Sequence, residues 1–252
     1  MQASLPEATG EEASRWALFL DIDGTLMDIA ITPNAVRVPP TLPVVLDGWR
    51  DKLQGAMALV SGRSLMQIDR LFAPHRYDAS GSHGHEWRQD GVAELIGEDR
   101  SAEIASVVSY AESQIFAFPG LALERKPHSL AIHYRAAPHR RFESEQVAAR
   151  IVARLGPGFR VISGKAVTEI LIDGTDKATA ITRFMECETY RGRRPVFAGD
   201  DLSDEPGFAA VNRLGGISIH IGNEPRTEAQ ARLPSPSSLR DWLSAAIVPS
   251  LS

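Results

Sequence analysis

Cysteine is nearly absent from this sequence, with one thiol, Cys187, in 252 residues. A single thiol forms no internal disulfide and no Cys-rich metal site, so a reducing compartment, the cytoplasm, is expected. No apolar run approaches the ~20 residues that span a bilayer. Residues 1–14 are acidic and polar where a signal peptide would be basic and then apolar, and they read as a frayed tail. A cationic excess is missing too, since 27 Lys and Arg minus 32 Asp and Glu leaves −5. That excludes a nucleic-acid backbone and an anionic membrane as general partners. Internal repeats and low-complexity tracts are also lacking. What remains is ordinary globular material, 43% apolar with 20 Gly and 16 Pro, long enough for two modest domains.

The charge is unevenly spread. Residues 120–170 hold nine Lys and Arg against four Asp and Glu, a local +5, so the rest of the chain carries −10. One basic stretch therefore sits in an acidic protein.

The apolar run 17–20 ends abruptly in Asp21-Ile-Asp-Gly-Thr25, which reads as a buried parallel strand opening into a loop at its carboxyl end. A helix over 42–53, a strand over 54–60 that runs into Ser61-Gly-Arg-Ser64, and a helix over 65–72 repeat the pattern. Strand, helix, strand, helix predicts a doubly wound α/β sheet. A third strand over 77–81 precedes a hairpin over 85–96, turned at Asp90-Gly91, which supplies φ > 0. The pattern then changes to a helix over 98–116, strands over 121–125 and 130–134, a helix over 140–155, and strands over 159–163 and 167–172. This is an α+β insert suited to a cap. The α/β pattern resumes with a helix over 177–188, a strand over 195–199 ending in Asp200-Asp-Leu-Ser-Asp204, and a strand over 216–221. A loop over 233–238 and a closing helix over 239–247 follow. The expected division is a core of 15–98 and 175–252 with a cap of 99–174.

In an open parallel sheet the ligand sits beyond the carboxyl ends of the strands. Three such ends carry Asp21 with Asp23, Ser61 with Arg63, and Asp200 with Asp201 and Asp204. Five carboxylates brought together repel unless a hard cation neutralises them, and oxygen donors of this kind suit Mg²⁺. Lys177, at the first turn of a helix, can return a positive charge to the same place.

Together, Asp21-Ile-Asp-Gly-Thr25, Ser61, Lys177 and Gly199-Asp-Asp-Leu-Ser-Asp204 resemble, in order, the four motifs of the haloacid dehalogenase superfamily of phosphatases. The resemblance implies that Asp21 attacks phosphorus to give an aspartyl phosphate, while Asp23 protonates the leaving oxygen and later activates water. It implies Ser61 and Lys177 on phosphoryl oxygens. Mg²⁺ would be held by Asp21, the Asp23 carbonyl and Asp200, with Asp201 and Asp204 orienting from just outside. Gly81-Ser-His-Gly84, Glu124-Arg-Lys126, Ser129-Leu-Ala-Ile-His-Tyr-Arg135 and Gly164-Lys-Ala-Val-Thr-Glu-Ile170 are similar to the trehalose-6-phosphate phosphatase family, from about Trp16 to Trp242. That narrower resemblance implies a sugar-phosphate substrate bound by Arg63, His83, Gly84, Arg125, His133, Lys165 and Glu169. It also implies a trehalose-6-phosphate synthase upstream, without implying contact. The chain departs from the family pattern at Leu171-Ile172, where Arg-Pro is usual, and at Ala178, where Gly is usual.

Plainer readings stand beside these. Ser61-Gly-Arg-Ser64 alone is a helix cap. His83 and His85, two apart, could pair on zinc if they lay on a strand, but a hydrogen bond for His83 and an incidental His85 are preferred. Arg140, Arg141, Arg150 and Arg154 read as a solvated helix face. The rival functions are a phosphatase for mannosyl-3-phosphoglycerate or sucrose 6-phosphate, a phosphomannomutase, and a catalytically silent sugar-phosphate sensor.

Overall fold

The structure, a computed structural model, describes Leu5, Ala8 and residues 11–29 and 36–247. The expected tail lies mostly outside these residues. Its last part does not fray, because Glu11–Arg15 forms a 3₁₀ turn with Ala13 buried.

An eight-stranded sheet organises most of the chain. Its strands are β1 (Trp16–Leu20), β2 (Met57–Val60), β3 (Asp78–Gly81), β4 (Glu86–Gln89), β5 (Val92–Leu95), β10 (Arg194–Gly199), β11 (Ile217–Ile221) and β12 (Ala231–Leu233). The order is β12-β11-β10-β1-β2-β3-β4-β5. Pairing is parallel from β12 to β3 and antiparallel through the hairpin β4–β5. Trp-Ala-Leu-Phe-Leu of β1 and Met-Ala-Leu-Val of β2 are buried at every position, as strands covered on both faces must be. Asp90 and Gly91 both adopt positive φ at the hairpin turn, as expected.

Helices α1 (Leu42–Lys52), α2 (Leu65–Phe72), α6 (Lys177–Glu186), α7 (Glu205–Arg213) and α8 (Pro236–Ala245) accompany this sheet. Two start signals matter for the site. Ser64 and Gln67 form a capping box at α2, and Asp176 caps α6 by accepting from Thr179 N. Two expectations need correction. Residues 231–233 form the edge strand β12, too short and too polar at Arg232 to show a period. The closing helix starts earlier, at Pro236 behind its N-cap Ser235, inside the expected loop.

Between β5 and α6 lies a four-stranded antiparallel sheet, in the order β6 (Ala122–Arg125), β7 (Ser129–His133), β9 (Val167–Ile172), β8 (Phe159–Gly164). Helices α4 (Val108–Phe116) and α5 (Arg141–Leu155) pack on it, preceded by α3 (Ser101–Ser106). The single helix expected over 98–116 is therefore broken at Val107. A second hydrophobic core, including Ile104, Leu130, Ile132, Ile151 and Ile170, is separate from the one under the large sheet.

Register decides which side chains leave that second core. Glu124, Ala131, Glu169 and Ile162 stand in one cross-strand row, and Ala122, His133, Val167 and Gly164 in another on the same face. Between them runs the row Leu123, Ile132, Thr168 and Ser163, and beyond Glu124 the row Arg125, Leu130, Ile170 and Val161, both on the opposite face. Ile132, Leu130 and Ile170 of those two rows belong to the second core, so the face bearing Glu124, His133 and Glu169 is turned the other way.

Candidate active site

A cavity of about 140 Å³ lies where this free face meets the carboxyl ends of β1, β2 and β10. Asp21 leaves β1 at its floor. Thr25 Oγ1 lies 3.2 Å from Asp21 Oδ2 and 3.1 Å from Asp200 Oδ1, tying the two loops together. Gly24 has φ +83°, and a Cβ there would strike the Asp200 carboxylate. The Gly-Thr that follows the two aspartates is thus a requirement of close approach.

Asp21, Asp200 and Asp204 each place a carboxylate oxygen within 4.8 Å of the others, and all three are buried. Lys177 Nζ donates to Asp21 Oδ1 at 2.8 Å and to Asp204 Oδ1 at 2.5 Å. Asp204 Oδ2 accepts from the backbone N–H of Asp200 and Asp201, at 2.9 Å each. Both Asp204 oxygens are thereby committed to protein donors, which fits an orienting role. Asp200 Oδ2 accepts from Lys165 Nζ at 2.5 Å.

Burial is the main force on these groups. It pushes the Asp21 carboxyl well above the ordinary range against the opposing charge of Lys177, with Asp204 and Asp200 adding to the rise. Asp200 is pushed up to about 6 by burial and then by Asp204, with Lys165 opposing. Burial alone would lower Lys177, but Asp204 and Asp21 outweigh it and hold the ammonium above its ordinary value. Three crowded carboxylates, two of them reluctant to ionise without further positive charge, form an oxygen-only donor set that fits a hard divalent cation.

Ser61 lies at the end of β2, its N–H donating to Ser80 O at 2.9 Å and its Oγ accepting from Arg63 N at 3.2 Å. Arg63 grips Asp23 with two bonds, Nε to Oδ2 at 2.6 Å and an Nη to Oδ1 at 2.7 Å. Asp23 is therefore aimed at the Arg63 wall, away from the three-carboxylate cluster. Asp201 is also turned elsewhere. Its Oδ1 caps Leu202 N at 2.6 Å and its Oδ2 accepts from Lys165 N at 3.0 Å. The expected convergence of five carboxylates is thus a cluster of three.

The insert supplies the roof. Glu169 Oε2 is bonded to His83 Nε2 at 2.8 Å, and its Oε1 accepts from Lys126 Nζ at 2.6 Å. A carboxylate only accepts, so His83 donates from Nε2. Burial would raise the Glu169 pKa, but Lys126 and His83 overcome it and hold the group well below the ordinary range. Glu124 Oε2 is bonded to His133 Nε2 at 2.7 Å, and its Oε1 accepts from Gln67 Nε2 of α2 at 2.9 Å.

Two expected substrate residues do not line this cavity. Arg125 is exposed and stands in the row on the opposite face of the small sheet. Its neighbours Glu124 and Lys126, one step out of phase, line the cavity instead. Gly84 packs behind the wall, with φ +98° and a Cβ position blocked by the Asp176 carbonyl. His83 lines the cavity, whereas His85 packs against His128, the rings tilted by 56° with centroids 4.9 Å apart, and does not line it. Sequence reasoning missed Lys126, Glu124 and Gln67. Strand alternation could have found the first two.

A doubly wound sheet with an aspartate at the end of its central strand, a buried lysine and an acidic loop, roofed by an inserted sheet, defines a phosphatase of the haloacid dehalogenase class. The trehalose-phosphatase family profile matches residues 19–238. A probable trehalose-phosphate phosphatase of Sinorhizobium fredii is 42% identical over 240 residues, covering 94% of this chain and 90% of its own. The trehalose-6-phosphate phosphatase of Escherichia coli is 38% identical over 242 residues, covering 93% and 88%. The C-terminal domain of C. albicans trehalose-6-phosphate phosphatase superposes with a TM-score of 0.81 over 93% of this chain and 92% of its own, at 21% identity, a likeness of fold. The chain belongs to the trehalose-phosphatase family.

Proposed function

We propose that the protein is a Mg²⁺-dependent phosphatase of the cytoplasm that converts trehalose 6-phosphate to trehalose and phosphate. The observation that carries this reading is the cavity itself. A buried aspartate held by Lys177 lies on its floor, and a roof of Glu124, Lys126, His133 and Glu169 presents the alternating donors and acceptors that sugar hydroxyls require.

Asp21 attacks phosphorus, the bond to the sugar oxygen breaks, and Asp23 delivers a proton to that oxygen. Asp23 then removes a proton from water, whose oxygen attacks the aspartyl phosphate, releasing phosphate and the Asp21 carboxylate. The bidentate hold of Arg63 fixes the orientation of Asp23, which suits the second half-reaction. For the first, the guanidinium turns to the incoming phosphate and frees Asp23 to carry a proton. Lys177 offsets charge on the phosphoryl oxygens and opposes the effect of burial on Asp21. Asp21 and Asp200, with the Asp23 carbonyl, would hold Mg²⁺, which when bound supplies charge neutralisation of the phosphoryl group. Ser61 donates to a phosphoryl oxygen, and residues 99–174 act as the cap.

Both Glu169 oxygens already have a partner, yet a carboxylate offers about four acceptor sites. One site on each oxygen remains for sugar hydroxyls. The test is a phosphate-release screen over trehalose 6-phosphate, sucrose 6-phosphate, mannosyl-3-phosphoglycerate and other sugar phosphates, with and without Mg²⁺. The highest kcat/KM is expected for trehalose 6-phosphate. A preference for another ester would overturn the substrate, and phosphate transfer without release would overturn the class.

A further inference from the structure

The conformation of Ser82-His83-Gly84 is unusual. All three residues have positive φ, at 49°, 54° and 98°. The first two carry a Cβ, for which this region is unfavourable and a run of two is rare. The segment is pinned by Ser82 N to Arg63 O at 2.8 Å and His83 N to Ser61 O at 3.1 Å. Glu86 Oε2 joins it to α2, accepting from Ser82 Oγ at 3.3 Å and Leu65 N at 2.6 Å. Room for the imidazole depends on a missing side chain, because a Cβ on Gly62 would overlap the His83 ring. Strained backbone that the surroundings hold in place at the wall of a reactive cavity marks a demand on one side chain.

We propose that His83 is a positioning residue: it reaches from the core to Glu169 of the cap and fixes that carboxylate over the pocket, so that sugar reading depends on this cross-domain hydrogen bond. The inference rests on Glu169 as a sugar acceptor. Glu169 and Lys126 both belong to the cap, so their ion pair lies within it, with Lys126 Nζ also donating to Gly62 O of the core at 3.1 Å. The His83 bond is different, since it forms only when β9 lies against the end of β3. Both side chains are under a tenth exposed, at 8% and 9%, so water does not replace the lost donor in the closed state. Without His83 the carboxylate keeps a single partner and swings on its own torsions.

A double-mutant cycle tests this. The parent enzyme is run first on the sugar-phosphate panel, and the cycle then uses its best substrate, with p-nitrophenyl phosphate as a small ester that leaves the cap face untouched. His83→Ala is expected to lower kcat/KM on the sugar phosphate roughly 10- to 100-fold, mostly through KM, as removal of a hydrogen bond to a charged group does. Hydrolysis of p-nitrophenyl phosphate should fall by clearly less than hydrolysis of the sugar phosphate does. His83→Gln, whose amide can reach the same oxygen, should recover part of the loss, and it replaces the alanine variant in the cycle should that one not fold. In a Glu169→Ala background the His83 substitution should have almost no further effect. Multiplying losses, or equal losses on both esters, would overturn the role of His83. A best substrate other than trehalose 6-phosphate would overturn the substrate reading, while the cycle would still judge His83.

Discussion

Replacing Lys177 with Met tests the electrostatic centre of the site. The side chain is 2% exposed and contacts two carboxylates that are 7% and 0% exposed, so its removal leaves three crowded acids without their buried cation. Breaking a buried ion pair by deleting one partner costs about 3–5 kcal/mol. The loss should depend on pH in a known direction. In the variant Asp21 loses the one charge that opposes burial, so its folded pKa rises further above the unfolded value. Such a group stabilises below the unfolded pKa, and that stability is lost as pH rises through the folded pKa. The deficit relative to the parent should therefore be near its full size at pH 8 and smaller at pH 5. Urea unfolding followed by tryptophan fluorescence measures it, because Trp16 stacks on Trp49 and Trp242 in the large core, and Trp87 packs on Phe184 of the helix that begins with Lys177. Turnover should fall on the order of 10²- to 10³-fold or more, the effect of losing a preorganised donor at developing charge. A variant within about 1 kcal/mol of the parent at pH 8, with most of its turnover intact, would refute the account of Lys177 as the compensating charge.

Asp21→Asn should abolish phosphate release on every substrate while leaving the fold unchanged by circular dichroism, since an amide of the same shape is no nucleophile; residual turnover would remove Asp21 from that role. Chelation should stop turnover and Mg²⁺ restore it, and the thermal shift produced by Mg²⁺ should be larger at pH 7.5 than at pH 5, because the cation must displace a proton from Asp200, whose pKa is about 6 without it. A pH-independent shift would count against this cluster as the binding site. Lys126→Ala should lower kcat/KM for trehalose 6-phosphate roughly 10-fold or more, whereas Arg125→Ala should change it less than about threefold; the reverse order would mean that the strand phase assigned to β6 is wrong.

The core of the site was legible because its signals are local. A buried apolar strand ending in two aspartates, with a glycine and a threonine next, marks both the sheet direction and the edge where chemistry occurs. Each of those residues has its reason within a few ångströms, as Gly24 against Asp200 and Thr25 between Asp21 and Asp200 illustrate. The composition of the helix starts at Ser64 and Asp176 was equally local. The edge strand β12 escaped because three residues give no period to count.

The cap resisted for a different physical reason, which the contrast between Arg125 and Lys126 isolates. In a strand the side chain period is two, so naming the right tripeptide, Glu124-Arg125-Lys126, leaves the phase open, and a one-residue error exchanges the core face for the site face. Charge suggests Arg125 as the anion binder, but phase is set by packing, and Leu130 and Ile170 in its cross-strand row belong to the second core. Asp201 shows the same limit across domains: read along the chain it belongs with Asp200, while in space its Oδ2 accepts from Lys165 N, 36 residues earlier. His83 completes the point, because its partner Glu169 is 86 residues away. The motif tells that a histidine is wanted at the end of β3. Only the closed arrangement of two sheets tells that it is wanted by the cap.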